Sequence, residues 1–142
     1  MIAKLFWAAL LSSQAMLIAV ALILAPTPAD DPDAAPVFSA SALAGFITVA
    51  LTVPLAYFLR NQVYKSQWQA HAVTPRGYLT GNLVFLGLLE TSGAIASATA
   101  IFEQRAWPNL IPALVVLALF LANFPHGRPL DPAPPRLGVS EK

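Results

Sequence analysis

Residues 79–102 read LTGNLVFLGLLETSGAIASATAIF, an apolar block that carries one acid, Glu90, near its middle. A helix of about 20 apolar residues crosses a hydrocarbon core of about 30 Å. Only helices and closed barrels satisfy every backbone polar group in lipid, and this block lacks the alternating pattern of a barrel strand. The stretch therefore predicts a transmembrane helix with an ionisable side chain close to the bilayer midplane.

Three more apolar blocks have a similar length, at residues 5–24, 40–59 and 107–124. The 142-residue chain is 57% hydrophobic and only 11% charged, whereas soluble domains are about a quarter charged. We expect an all-α fold, a transmembrane bundle of four helices that occupies residues 1–124. The Pro-rich tail, residues 125–142, is expected to be disordered and cytoplasmic.

The positions of Lys and Arg predict the orientation. With four spans, every Lys and Arg except Arg105 falls on one side of the membrane, and cytoplasmic loops carry the positive excess. We therefore expect a bacterial inner-membrane protein with both termini in the cytoplasm. Alternatively, residues 1–29 are a cleaved secretory signal, because Lys4 precedes the first apolar block and residues 27–29 offer a small-x-small cleavage site. Cleavage would leave three spans.

The composition argues against several classes of function. A net charge of +1 provides no basic face for nucleic acid. The chain has no Cys, and its two His residues, His71 and His126, lie in connecting segments, so neither a metal site nor a cofactor is expected. No catalytic constellation or phosphate-binding Gly loop is present, which predicts a non-enzyme. In the middle loop, His71, Arg76 and Lys65 either contact lipid headgroups or form a solvated basic loop.

Small residues at helical spacing predict the faces on which the helices pack, because lipid provides no hydrophobic drive for helix association and close backbone approach replaces it. The predicted faces are Ala8, Ser12, Ala15 and Ala19 on the first helix, Ala44, Thr48, Thr52 and Ala56 with Ser41 and Gly45 beside them on the second, and Gly93, Ala96, Ser97 and Ala100 on the third. Pro54 and Pro112 are expected to kink the second and fourth helices.

A faint internal repeat relates the first and third helices. Residues 5–15 align with residues 83–93 so that Ser12 falls opposite Glu90. This match indicates two duplicated helical hairpins. The alternative is a chance match between two segments rich in Leu and Ala.

Glu90 is the candidate functional residue, because an acid at the centre of a membrane helix costs roughly 2.5–3.5 kcal/mol on insertion scales. In one hypothesis a neutral Glu90 hydrogen-bonds to neighbouring helices and fixes their register, in a structural or assembly subunit that packs with lipids and with other transmembrane helices, as a homo- or hetero-oligomer. In the other, Glu90 exchanges a proton or a sodium ion. The candidate hydrogen-bonding partners are Ser12, Ser13, Gln14, Thr48 and Thr52.

Residues 83–102 resemble the carboxylate-bearing helix of the rotary ATP synthase c subunit, or proteolipid, with Glu90 at the ion-binding position. Arg60, Asn61 and Gln62 loosely resemble the polar-loop motif of that family. This resemblance implies proton or sodium binding at Glu90. The chain departs from the family in lacking alternating glycines in the second helix and a Pro after Gln62, and in having a longer loop and two extra helices.

The whole layout is more similar to a group of small uncharacterised bacterial four-helix integral membrane proteins. The shared features are a Leu-rich first helix, an acid in the third helix, and a Pro after the fourth, which is Pro125 here. That resemblance implies the architecture alone.

Overall fold

The computed structural model describes residues 2–25, 39–69 and 72–130. Its four α-helices are α1 (Ile2–Leu24), α2 (Ala40–Ser66), α3 (Pro75–Phe102) and α4 (Ile111–Ala122). Two short strands, β1 (Trp68–Gln69) and β2 (Ala72–Val73), pair antiparallel between α2 and α3, and one 3-10 turn (Arg128–Leu130) follows α4. The predicted all-α class is confirmed. His71, the possible cleavage site at residues 27–29 and tail residues 131–142 lie outside the described residues.

Three of these helices are long and apolar enough to cross a membrane, namely α1, α2 and α3. At 1.5 Å per residue they are about 35, 40 and 42 Å long. The 12-residue α4 is a shorter apolar helix, about 18 Å long. The three long helices support the predicted membrane location.

The connection between the second and third helices is shorter than predicted. We expected polar loop between residues 59 and 79, but α2 continues to Ser66 and α3 already begins at Pro75. The Thr74 hydroxyl accepts a hydrogen bond from the Gly77 N–H at 3.1 Å, and Pro75 occupies the first turn. Thr at the N-cap followed by Pro is a strong helix start. The polar helix ends were mistaken for loop because their residues suit water rather than lipid.

The fourth helix begins at Ile111 rather than at residue 107. Pro112 therefore lies in its first turn, where the helix needs no backbone donor. The prediction that Pro112 kinks this helix is wrong. Pro54 does lie inside α2, as expected.

The core lies around α3, which packs against all three other helices. Towards one end the core contains Ile18, Ala21, Ala96, Ala100, Ala106, Leu110 and Ala113, and towards the other end it contains Val49, Ala56, Phe85, Leu86, Leu89, Val116 and Phe120. The main contacts of α1 are with α3 and α4, whereas α2 packs chiefly against α3. The duplicated hairpin stays a prediction.

The predicted packing face is confirmed on α3, whereas the predicted face on α1 lies on the outside of the bundle. Gly93, Ala96, Ser97 and Ala100 are all buried. On α1 the predicted residues Ala8, Ser12, Ala15 and Ala19 are all exposed, and the buried residues are Gln14, Ile18 and Ala21. The small residues of α1 face outward because its larger side chains supply the contact with α3 and α4.

On α2 the contact face is rotated from the predicted one. Ala44 is exposed, whereas Gly45 and Ala56 are buried. A Cβ atom at Gly45 would lie 3.6 Å from Thr99 Oγ1 and 3.8 Å from Ala96 Cα. The backbones of α2 and α3 therefore approach closely at Gly45, the residue next to the predicted Ala44.

Side-chain contacts define two ends of the bundle. At one end the Asn109 amide donates to Glu103 Oε2 at 2.8 Å, beside the start of α4. At the other, Arg60 Nη1 donates to Asn123 Oδ1 at 3.1 Å, beside the end of α4. The Trp7 indole donates to the Phe120 carbonyl at 2.8 Å. The start of α1, the α2–α3 connection and the end of α4 therefore share the Arg60 end.

Candidate functional site

Glu90 lies on the side of α3 that meets α1, where it is partly buried. The Ser13 hydroxyl of α1 donates to Glu90 Oε1 at 2.6 Å. The other carboxyl oxygen, Oε2, is buried and has no hydrogen-bond partner among the described residues. A buried polar atom without a partner is uncommon in folded proteins and marks a place where a ligand can bind. The pair therefore joins two helices and leaves one carboxyl oxygen without a partner among the described residues.

A second polar group lies in the same helix contact. The Gln14 side chain is fully buried on α1 and lies directly over Gly93 of α3, where a Cβ atom would collide with its amide. Within the described ranges, neither amide atom of Gln14 has a hydrogen-bond partner, and the buried Ser97 hydroxyl has none either. Gly93 is needed here because only a residue without a side chain leaves room for the glutamine.

The four predicted supporting residues do not hydrogen-bond to Glu90. Ser12 donates to the carbonyl of Ala8, and Thr48 donates to the carbonyl of Ala44, each within its own helix at 2.8 Å. Thr52 is partly buried on α2, and Gln14 lies at the α1–α3 contact without bonding to the acid. The structure pairs Glu90 with Ser13, and the role of the other four as ion-site partners stays a prediction.

The Glu103 end contains a polar cluster in which both carboxylate oxygens accept hydrogen bonds, while the buried Asn109 Oδ1 has no partner among the described residues. Glu103 Oε1 accepts from the hydroxyls of Ser39 and Ser41, and Oε2 accepts from the Asn109 amide. The Ser39 hydroxyl also accepts from the Ala42 N–H at 3.1 Å and so caps α2. This cluster ties the end of α3 to the start of α2 and to the segment before α4.

The Arg60 end contains a cavity of about 260 Å³, which we call the Arg60 pocket. Its lining includes Arg60, Tyr64, Tyr78, Asn82, Pro129 and residues 122–127. The guanidinium carbon of Arg60 lies 4.2 Å from the Phe85 ring centre and 4.8 Å from that of Tyr57. Cation–π contacts of this kind hold a guanidinium in place without neutralising it.

Amide and hydroxyl groups complete the walls of the Arg60 pocket. The Asn82 amide donates to Tyr64 Oη at 2.9 Å, and the Gly127 N–H donates to Tyr78 Oη at 3.0 Å. The two tyrosine rings stack with their centres 6.1 Å apart. From the sequence, Arg60 was interpreted as a basic residue at a helix end and, with Asn61 and Gln62, as a loose match to the polar-loop motif. The spacing of Tyr57, Arg60 and Tyr64, three and four residues apart on one helix face, is the signal that could have indicated the pocket.

Comparisons with protein-family models, with curated proteins and with solved structures found no match for this chain.

Proposed function

We propose that this chain is a non-enzymatic, multi-pass membrane protein that acts as a structural or assembly subunit. Its outer α1 face binds another transmembrane helix, from a second copy or from a different protein. Support comes from the surface that the folded chain leaves uncovered and from the polar pair beside it.

The outer face of α1 carries the small residues that favour helix contact in membranes. Of the apolar 18-residue window of α1, 17% is buried, against 44% for α3. The exposed side includes Ala8, Ser12, Ala15 and Ala19 at three- and four-residue spacing. Small residues at this spacing let a partner backbone approach closely, which is the main source of helix association in lipid.

The hydrogen bond from Ser13 to Glu90 is the observation that carries the proposal. It lies beside Ser12, at the edge of the small-residue face of α1. Polar groups near the centre of a bilayer are costly unless they are paired, and hydrogen bonds between helices fix register. A partner helix that covers this face would shield the pair from lipid and would itself be aligned by it.

Association of labelled protein in lipid bilayers tests the proposal. Energy transfer between donor- and acceptor-labelled chains measures a homo-oligomer, and co-purification with mass spectrometry measures a hetero-oligomer. Ala15→Leu adds a bulky side chain to the α1 face, and we expect it to weaken association about tenfold, a loss of about 1.4 kcal/mol. Ala50→Leu, at an exposed alanine of α2 outside its small-residue face, is the matched control and should leave association unchanged. A chain that is monomeric at all densities and co-purifies with nothing, or equal effects of both variants, would refute the proposal.

We further propose four spans in a bacterial inner membrane, with both termini in the cytoplasm. The path of α4 supports this topology. With its preceding turn, α4 runs from the Glu103 end of the bundle to the Arg60 end, as a fourth span would. The absence of Cys allows single-cysteine variants to be labelled from either side. We expect Lys65→Cys and His126→Cys to be labelled from the cytoplasm and Gln104→Cys from the opposite side. Labelling of His126→Cys and Gln104→Cys from the same side of the membrane would contradict four spans.

Ion binding at Glu90 is the second candidate function, favoured by the unpartnered Oε2 beside the Ser13 hydroxyl. In this version the protein is a proton- or sodium-binding c-like subunit. A hydrophobic carbodiimide modifies a protonated carboxyl that is accessible from lipid, and bound sodium slows the reaction. We expect modification of the native chain and none of Glu90→Gln. An unmodified native chain, or modification unaffected by both sodium and pH, would exclude ion exchange at this residue.

A further inference from the structure

We infer that the Arg60 pocket binds a phosphate group. The inference is independent of the proposed function, because the pocket lies at the Arg60 end of the bundle, whereas the proposed function depends on α1 and its contact with Glu90. It rests on residues with hydrogen-bond donors that line a cavity to which neither described carboxylate contributes.

The positive charge of Arg60 is not neutralised within the described residues. Their two carboxylates are Glu90 and Glu103, and these accept from Ser13 and from Ser39, Ser41 and Asn109 respectively. Arg60 donates through Nη1 to the neutral Asn123 amide oxygen, and its Nε is buried with no hydrogen-bond partner among the described residues. Because Nε is buried, an anion in the cavity would meet the part of the guanidinium that lines it, and the unneutralised charge favours such an anion.

The tyrosine hydroxyls add donors of the same kind. Tyr64 Oη already accepts from Asn82, and Tyr78 Oη already accepts from Gly127. A phenolic hydroxyl has one proton to donate and two lone pairs. Both hydroxyls accept in the internal network and neither donates to a described residue, so each keeps a proton that a bound phosphate oxygen could accept. The pocket thus combines a guanidinium with two hydroxyl donors on neighbouring helices.

The charge and size of the surroundings fit a small anion. Lys4 Nζ lies 5.4 Å from the ring centre of Phe124, which lines the cavity. No acid lines the cavity within the part of the chain that the structure describes. Its volume of about 260 Å³ lies below the roughly 300–1,000 Å³ of pockets for drug-sized ligands. Donors on several sides suit a tetrahedral phosphate, whose oxygens point in several directions, better than a planar carboxylate.

The position along the helices places this phosphate near a membrane surface. Arg60 lies six residues before the end of α2, about 9 Å at 1.5 Å per residue. Lipid phosphates lie just outside the hydrocarbon core, so a lipid headgroup and a free phosphate are both possible sources. The experiment distinguishes them.

The full chain in a neutral detergent is titrated separately with phosphatidylglycerol, with diacylglycerol of the same acyl chains, and with sodium phosphate at constant ionic strength. The rise in the thermal unfolding midpoint gives an apparent Kd, because a ligand of the folded state stabilises it. We expect saturable stabilisation by phosphatidylglycerol and not by diacylglycerol. A similar effect of sodium phosphate identifies free phosphate as the ligand, and no effect of it identifies the lipid headgroup.

Arg60→Gln should weaken phosphate-dependent stabilisation at least about tenfold. Arg76→Gln removes an exposed arginine outside the pocket and should leave it unchanged. Tyr64→Phe retains the ring and removes one hydroxyl, so it tests the pocket even if Arg60→Gln does not fold, with an expected loss of about threefold or more. Equal stabilisation by diacylglycerol, no saturable response to either phosphate compound, or native binding by both Arg60→Gln and Tyr64→Phe would overturn the inference.

Discussion

The Arg60 end and the Glu103 end each contain one central charge, but they satisfy it differently. Both oxygens of Glu103 accept hydrogen bonds, and their donors come from Ser39, Ser41 and Asn109. Arg60 makes one hydrogen bond through Nη1, and its Nε has no hydrogen-bond partner among the described residues. Its guanidinium lies against two aromatic rings and lines a cavity. Glu103, whose hydrogen-bond partners come from the same chain, stabilises the fold. Arg60, whose charge is not neutralised within the described residues, is available to a ligand.

The helix ends affect the two charges differently. Glu103 is the C-cap of α3, whose dipole disfavours an anion there, but its carboxylate contacts the first residues of α2, where the backbone N–H groups give a partial positive charge. Arg60 lies six residues before the end of α2, outside the last turn in which a helix dipole favours a cation. The side chains around Arg60 therefore account for its position.

The largest expected effect is at the Glu103 end. Glu103→Ala leaves three donors without their acceptor, and we expect it to lower the free energy of unfolding by about 3 kcal/mol. Unfolding by a denaturing detergent in mixed micelles measures the change. Gln62→Ala, on the exposed side of α2, is the control with little expected effect. A loss below about 1 kcal/mol would mean that the cluster is not structural and would remove the contrast between the ends.

At the Arg60 end the loss of stability should be smaller than at Glu103. Arg60→Met keeps the apolar stem but removes two cation–π contacts and the bond to Asn123, which together are worth about 2 kcal/mol. The same micelle unfolding assay applies, with Arg76→Met as the matched control. A loss as large as that of Glu103→Ala would show that Arg60 is chiefly structural.

The sequence predicted the number of helices, the all-α class and the middle part of each helix. It did not predict which side chains contact one another. Apolar blocks near 20 residues predicted α1, α2 and α3 because lipid imposes both length and composition on a helix that crosses it. The polar ends of α2 and α3 were missed, since helical residues in water carry no hydropathy signal. Composition did not give the face of α1 that packs within the chain, because small residues predict contact with some helix but not with which one.

The candidate site was predicted only to the level of the acid. Glu90 was identified from the free-energy cost of an acid in lipid, and Ser13 was one of its five candidate hydrogen-bonding partners. Which of them reaches Glu90 depends on the rotation of α1 about its axis, and the large buried residues Gln14 and Ile18 set that rotation. The Arg60 pocket brings together α2, α3 and the segment after α4, so its donors lie too far apart in the sequence to be recognised there.

Between the two ends, the Gln14–Gly93 contact offers an intermediate test, because it is tightly packed but not hydrogen-bonded. Gly93→Ala places a methyl group against the Gln14 amide, and we expect a loss of about 1.5 kcal/mol. Gln14→Ala in the same chain should restore most of it, because it removes both the clash and an unpaired buried amide. A double-mutant cycle by unfolding measures the coupling. Additive effects of the two substitutions would mean that the helices separate rather than clash.

The smallest effect should come from Tyr78→Phe, which tests whether the segment after α4 closes the Arg60 end. The substitution removes the hydroxyl that accepts from the Gly127 N–H, and one such bond is worth about 1 kcal/mol or less. Amide hydrogen exchange at Gly127 should therefore quicken about fivefold, while exchange in the middle of α3 stays unchanged. Tyr57→Phe, which removes the acceptor of the Asn123 amide, is the control that should leave Gly127 protected. If both variants speed exchange at Gly127 equally, the segment is held by the packing of the whole end rather than by this hydrogen bond. In that case the Tyr78 hydroxyl is not held at the pocket by its bond to Gly127, and the phosphate site would depend on Arg60 and Tyr64 alone.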